Sequence, residues 1–190
     1  MPSENREFMP AVSARQNFDA QVNVYLNHQI NNELLASYQY LAMSAYFGRT
    51  DVALAGAAAF FKNQSMEETQ HAQKLIDYVN DRGGDVEFYG VKKPVSIEWP
   101  SLMHAFLDAV ELEKFNNKSL LELHKIAGEK NDPDLTNFLE EHYLREQVIE
   151  IQQMTRRANQ LKRVGAGVGE HIIDQELAKE IRKMAKNNEH

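Results

Sequence analysis

Residues 63–75 read NQSMEETQHAQKL, and the fold turns on how they are placed. No Pro or Gly interrupts them. At helical spacing Gln64, Glu68, His71 and Leu75 share one face, because positions three, four and seven apart lie above one another. The same face runs into Phe61 on one side and Val79 on the other. A stripe that is apolar at both ends and acidic in the middle carries charge into a core.

Three more segments repeat the arrangement. Leu26, Ile30, Glu33, Ser37, Tyr40 and Phe47 line one face of a segment from about Asp19 to Phe47. Phe106, Val110, Glu113 and Leu120 line a third, and Tyr143, Gln147, Glu150, Ile151 and Met154 a fourth. Pro and Gly mark the ends. Gly48 stops the first helix, and Asp51 is expected to cap a second that runs to about Arg82, before Gly83 and Gly84. Pro100 is expected in the first turn of a third helix that continues to Ala127 and halts at Gly128. Asn131-Asp132-Pro133 starts a fourth, running to about Val164. After Gly165, Gly167 and Gly169, a short fifth helix is predicted from about Glu170 to Ala185. Residues 85–99 contain Pro94 and no helical period, so they read as a long connection. No strand alternation or internal repeat is present. The expected fold is all-α: a four-helix bundle with one long crossover and a short C-terminal fifth helix. The expected division is a polar N-terminal tail (1–16), the bundle (17–164), and the C-terminal helix with its tail (165–190).

Composition narrows the chemistry. The 190 residues are 43% hydrophobic and 26% charged, as in an ordinary globular domain. There is no cysteine, which excludes a disulfide framework, an iron–sulfur cluster and a thiolate zinc site. The net charge of −7 argues against nucleic acid as a partner. No apolar run approaches a membrane span, and the first sixteen residues lack the apolar core of a secretory signal, so a cytoplasmic location and no membrane partner are expected.

Height along the helices is the decisive feature. Glu33, Glu68, Glu113 and Gln147 each lie within a residue or two of the midpoint of their predicted helix. In an antiparallel bundle of equal helices the midpoints meet at one level. Unpaired carboxylates gathered there would cost several kcal/mol each in desolvation and would repel one another. Either protons or a cation must compensate them, and the absence of Lys and Arg from these stripes favours a cation. A lone E-x-x-H on a helix is usually solvated; four coincident midpoints are not so readily dismissed. Oxygen donors with a single imidazole suit iron or manganese, with zinc a competitor. Glu68 is placed to bridge two metals, with Glu33 and His71 on one and Glu113 on the other. Tyr40 is expected beside the site or as a core aromatic.

The segments INNELLASYQYLAMSAYF (30–47), NQSMEETQHAQKL (63–75), LEK (112–114), SLLELHK (119–125), KNDP (130–133) and HYLREQV (142–148) resemble the ferritins, in particular the eukaryotic heavy type. The resemblance spans about Arg15 to Val164. It implies a ferroxidase site at Glu33, Glu68, His71 and Glu113, with Gln147 as a hydrogen-bonding neighbour and Tyr40 alongside. It also implies a metal-handling role for Glu67, at the site and towards the cavity. Oxidation of Fe2+ by O2 or peroxide, a homo-oligomeric shell of 24 subunits open to mixing with other ferritin chains, and a ferric mineral core are further implications. No haem is expected, since Thr69 rather than Met follows Glu68.

The chain departs from the family's pattern at three places. Glu150 stands where animal heavy chains have a small apolar residue, and a carboxylate there resembles bacterial and some algal ferritins, where it contacts the second iron or a third. Gln70 and Gln73 stand where mineral-nucleating acids are usual. In the iron-entry channel Glu140 matches an expected acid, Asn137 replaces an aspartate, and Asp134 is a candidate for the missing charge. The C-terminal helix, with Ile172, Ile173, Leu177, Ile181 and Met184 on one side, resembles the helix that lines a four-fold axis, with packing on its own bundle as the alternative.

Overall fold

The computed structural model describes residues 12–187; among these it contains helices, turns and loops, and no strand. Of the predicted N-terminal tail, residues 1–11 lie outside the described residues, and 12–16 are exposed. Helix α1 is Ala20–Phe47, α2 Ala55–Asp81 and α3 Leu102–Glu129. A fourth rod consists of α4 (Pro133–Leu139), a π-helical turn (Glu140–Leu144) and α5 (Arg145–Val164), and α6 (Val168–Asn187) follows. Helix α1 packs along α2, α3 packs along the fourth rod, and α1 against α3 joins the pairs. Residues 82–101 form the crossover between them.

Local chemistry sets most of these boundaries. Asp19 caps α1 by accepting from the Gln21 backbone N–H at 2.8 Å. Asp132 caps α4 through Leu135 N–H at 3.1 Å, with Pro133 in the first turn. The C-terminal stop at Gly165 is a left-handed glycine with φ 73°.

Two expected helix starts are corrected. Asp51 does not cap α2: it holds the Arg49 guanidinium at 2.6 Å, and α2 begins at Ala55. Pro100 lies outside α3, which begins at Leu102 after Ser101. Neither helix has a side-chain cap from its own segment. Both are capped by α6. Asp174, almost fully buried, accepts from Ala57 N–H at 2.8 Å, and Glu170, one turn earlier, accepts from Leu102 N–H at 2.7 Å. Carboxylates there also complement the positive ends of both helix dipoles. A Cβ on Gly56 would meet the Asp174 carbonyl oxygen at 1.9 Å, so only glycine admits α6 this close.

Other boundaries move as well. Helix α3 passes through Gly128 to Glu129, and α6 is longer than predicted, spanning 20 residues. It packs on its own bundle through Ile173 and Leu177, with Ile181 partly covered, whereas Ile172 and Met184 are exposed.

The fourth rod was expected to be uninterrupted, and the π turn is a finding. Its buried residues Leu135, Leu139, Tyr143 and Gln147 are spaced four apart three times running. Each such step overshoots an α-helical turn by about 40°, so the stripe would rotate away from the core by roughly 120°. One wider turn absorbs that drift. Tyr143, inside it, donates to the backbone carbonyl of His71 at 2.8 Å and ties the rod to α2.

The core is divided. One apolar cluster contains Tyr40, Phe47, Phe61, Phe106 and Met154; a second contains Val22, Leu26, Leu75, Leu120 and Tyr143. The buried polar residues of mid-helix α1, α2, α3 and α5 belong to neither.

Candidate metal centre

Four glutamates meet in this polar layer. Glu33, Glu68 and Glu113 are each 0% exposed and Glu150 is 7% exposed. They come from α1, α2, α3 and α5, so no one helix could bring them together. His71 and Gln147, also buried, complete the group. Among the described residues no Lys or Arg pairs with any of these carboxylates; the only basic group paired within the cluster is the His71 imidazole.

Two sets of donors could each hold a cation: Glu33, Glu68 and His71 on one side, Glu68, Glu113 and Glu150 on the other. Within each, one ligand atom per residue lies within 4.8 Å of the others. Glu68 belongs to both. Its Oε1 is buried and receives no hydrogen bond from the protein, while Oε2 stands 3.4 Å from His71 Nδ1. An unsatisfied carboxylate oxygen at the centre of an acidic cluster is costly unless a cation meets it. The donor set, oxygen-rich with one imidazole, fits iron-like divalent ions.

The surrounding bonds differ between the two sides. Gln147 Nε2 donates to Glu113 Oε2 at 3.1 Å and to Glu150 Oε2 at 2.8 Å. The Tyr40 hydroxyl donates to Glu113 Oε1, and its ring stacks on Phe61 at 6.1 Å. On the other side Gln29 and Asn116, both 0% exposed, donate to the two oxygens of Glu33.

Burial sets the electrostatics. It pushes Glu150 up to about 9, with Glu113 and other acids adding to the rise. Burial also raises Glu113 to about 7, although the Tyr40 and Gln147 hydrogen bonds pull it back. Glu68 is driven well above the ordinary carboxylate range by burial and by its acidic neighbours. Tyr40 is likewise raised by burial and by the Glu113 and Glu68 charges.

The other predicted residues are outside the two buried donor sets. Glu67 is half-buried, raised by burial, and in neither three-residue set that contains Glu68. Glu140 is exposed and pairs with His124 at 2.8 Å. Asp134, exposed, shares the Arg82 guanidinium (3.1 Å) with buried Asp132 (2.9 Å) and accepts a hydrogen bond from Tyr78 at 2.9 Å, so one negative charge remains on the group; Asn137 is exposed. Gln70 and Gln73 are exposed.

Three residues at the cluster escaped the sequence reading. Glu146 approaches His71 Nε2 at 3.4 Å and forms a third potential metal set with His71 and Glu150. Gln29 and Asn116 are the others. Position Gln29 is one turn before Glu33 and Asn116 three residues after Glu113, so the helical spacing was available; neutral amides gave no charge signal.

A bundle with one long crossover and a mid-height carboxylate–imidazole cluster defines a metal-handling protein of the ferritin-like class. The comparisons make the assignment narrower. The family profile described as "Ferritin-like domain" matches residues 23–164. The chain is 46% identical over 168 residues to soma ferritin of Lymnaea stagnalis, covering 88% of this chain and 97% of that protein. The chain belongs to the ferritin family, whose members bind and store iron in oligomeric shells. Among the described residues no helix is long and apolar enough to cross a membrane.

Proposed function

We propose that this chain is a catalytically active, heavy-type ferritin subunit that oxidises Fe2+ within its own bundle and delivers ferric iron to a mineral core. The observation that carries the reading is the membership of Glu68 in two buried donor sets. One carboxylate shared by two neighbouring cation positions allows two Fe2+ substrates to be held at a fixed separation. Glu33 and His71 complete one position, and Glu113 and Glu150 complete the other. Gln147 and Tyr40 orient the second through their hydrogen bonds to its carboxylates.

The chemistry follows from those ligands. Each Fe2+ surrenders one electron to dioxygen, which accepts two protons and leaves as hydrogen peroxide. Anionic oxygen donors stabilise the ferric product more than the ferrous substrate, which favours the oxidation. The two Fe3+ ions then hydrolyse to hydrated oxide and release protons. A 24-subunit shell, of this chain alone or mixed with related chains, holds the mineral, and the cytoplasm is its expected place. Glu67 and Glu146 border the site on the half-exposed side, where iron passes between solvent and cluster. Glu140, Asn137 and Asp134 belong to the proposed entry route, Asp134 sharing the single charge of Arg82 with Asp132.

Anaerobic Fe2+ titration of the metal-free protein followed by O2 tests this reading. The wild type is expected to take up two Fe2+ per subunit and to oxidise them in a fast phase. Glu33→Ala should bind one equivalent fewer and oxidise roughly 10- to 100-fold more slowly while still assembling. Equal oxidation rates in the two proteins would show that the chain is a passive container.

A further inference from the structure

Residues 175–187, the last turns of α6, read QELAKEIRKMAKN. Lys179, Arg182, Lys183 and Lys186 stand three, four and seven positions apart and share one face. That face is exposed, opposite the side on which Ile173 and Leu177 pack against the bundle. The segment offers local acids to balance it, with Glu176 three residues before Lys179 and Glu180 three before Lys183. Both turn instead to Arg157 of α5, Glu176 at 3.4 Å. Among the described residues no carboxylate pairs with any of the four cations. The helix dipole accounts for a cation in the last turn, which is Lys186; its reach ends there and leaves the other three unexplained. Like charges at this spacing destabilise a helix, and here they stand against the net charge of −7 of the whole chain.

We infer that this face of α6 is a binding site for a small multivalent oxyanion of the phosphate class. The four side chains surround a hollow of about 250 Å³, a size that suits a small anion. Arg182 Nε donates to the Ala178 carbonyl at 3.1 Å, which holds the guanidinium and leaves its two terminal nitrogens to donate to phosphate oxygens. A lipid surface is disfavoured because the apolar side of α6 is already docked on the bundle. The net charge of the chain opposes nucleic acid. Helix α6 lies against α2 and α5, where Phe60 and Gln153 border the Arg157–Glu180 pair. Glu67 follows Phe60 by seven residues and Glu146 precedes Gln153 by seven, so the half-exposed acids of the metal cluster share this side of the bundle. Under the ferroxidase reading, ferric iron leaves on that side, and phosphate oxygens are strong ligands for it. Only this role rests on that reading; the site does not.

Calorimetric titration of the metal-free assembled protein with inorganic pyrophosphate, at low ionic strength, tests the site without iron chemistry. The wild type is expected to bind pyrophosphate saturably. Lys179→Gln combined with Lys183→Gln leaves the packed side of α6 untouched and should weaken binding by about 10-fold. Lys92→Gln combined with Lys93→Gln removes the same charge from the exposed crossover and should leave binding unchanged. Equal weakening in both double variants, or no saturable binding by the wild type, overturns the inference. Binding of the wild type to phosphatidylserine vesicles that pyrophosphate does not displace would assign the face to a membrane and overturn it as well. A protein that binds pyrophosphate at α6 yet oxidises Fe2+ no faster than Glu33→Ala would keep the site and remove the ferroxidase reading.

Discussion

Glu150 is the residue at which this chain differs most from its heavy-type resemblance, and its environment makes the difference chemical. It is buried among three other glutamates, bonded to Gln147, and raised to about 9. Near neutral pH it therefore holds a proton in the metal-free protein, and Glu113, raised to about 7, holds one for part of the time. A cation entering the second position must displace those protons. Metal uptake at pH 7 should release protons, and the release should fall in Glu150→Gln. Calorimetric titration in buffers of different ionisation enthalpy measures the number. Uptake with no proton release from the wild type would mean that these carboxyls are not ligands. The carboxylates and His71 were legible in the sequence because charge on an apolar stripe is conspicuous. Gln29, Asn116 and Glu146 were not, because an amide on a stripe, or an acid beside it, looks like ordinary surface until its partners are placed.

At the level of elements, α6 and the π turn are the features with the clearest consequences. Helix α6 supplies Asp174 and Glu170 to the starts of α2 and α3, so three segments distant in sequence are fastened at one end of the bundle. Asp174→Ala should cost about 1 kcal/mol as a lost cap, and Gly56→Ala about 1–3 kcal/mol as an overpacked contact. In both variants α6 should become the first segment cut in limited proteolysis. A melting temperature and cleavage pattern unchanged in Gly56→Ala would contradict the packing. The π turn is testable by deleting Glu141. The deletion removes the residue that the wider turn accommodates, so an uninterrupted α-helix would keep Gln147 and Glu150 on the face of Leu135 and Leu139. The second metal equivalent and the helical circular dichroism signal should both persist, and loss of that equivalent would contradict the phase argument.

Across the whole molecule, the buried carboxylate cluster opposes folding of the metal-free protein. Glu113 and Glu150 are protonated in the folded chain over a pH range where the unfolded chain, near 4.5, has released its protons. Their contribution to stability is complete below that value and is lost as pH rises through about 7 and about 9. The metal-free melting temperature should thus fall between about pH 5 and pH 9 by this contribution, and saturating divalent metal should restore it. Metal at 100 times its dissociation constant is worth roughly 2.7 kcal/mol per independent site. Replacing the shared ligand, as in Glu68→Leu, should raise the metal-free melting temperature and abolish two-metal binding. Scanning calorimetry with and without Co2+ reads both effects. A less stable metal-free Glu68→Leu protein would mean that the carboxylate is held by protein groups alone.

The linear pattern by itself determined the number of long helices, their nearly equal lengths, the crossover, and the convergence of Glu33, Glu68, His71, Glu113 and Gln147 at one height. These follow from periodicity and from chain breakers, which act locally. The tertiary structure decided where α2 and α3 begin, how α6 lies, why the fourth rod needs a wider turn, and which neutral amides hold Glu33. Each of those depends on a donor and an acceptor that the chain brings together only when the bundle closes. Asp174 reaches Ala57, and Asn116 reaches Glu33, through packing that no local spacing encodes.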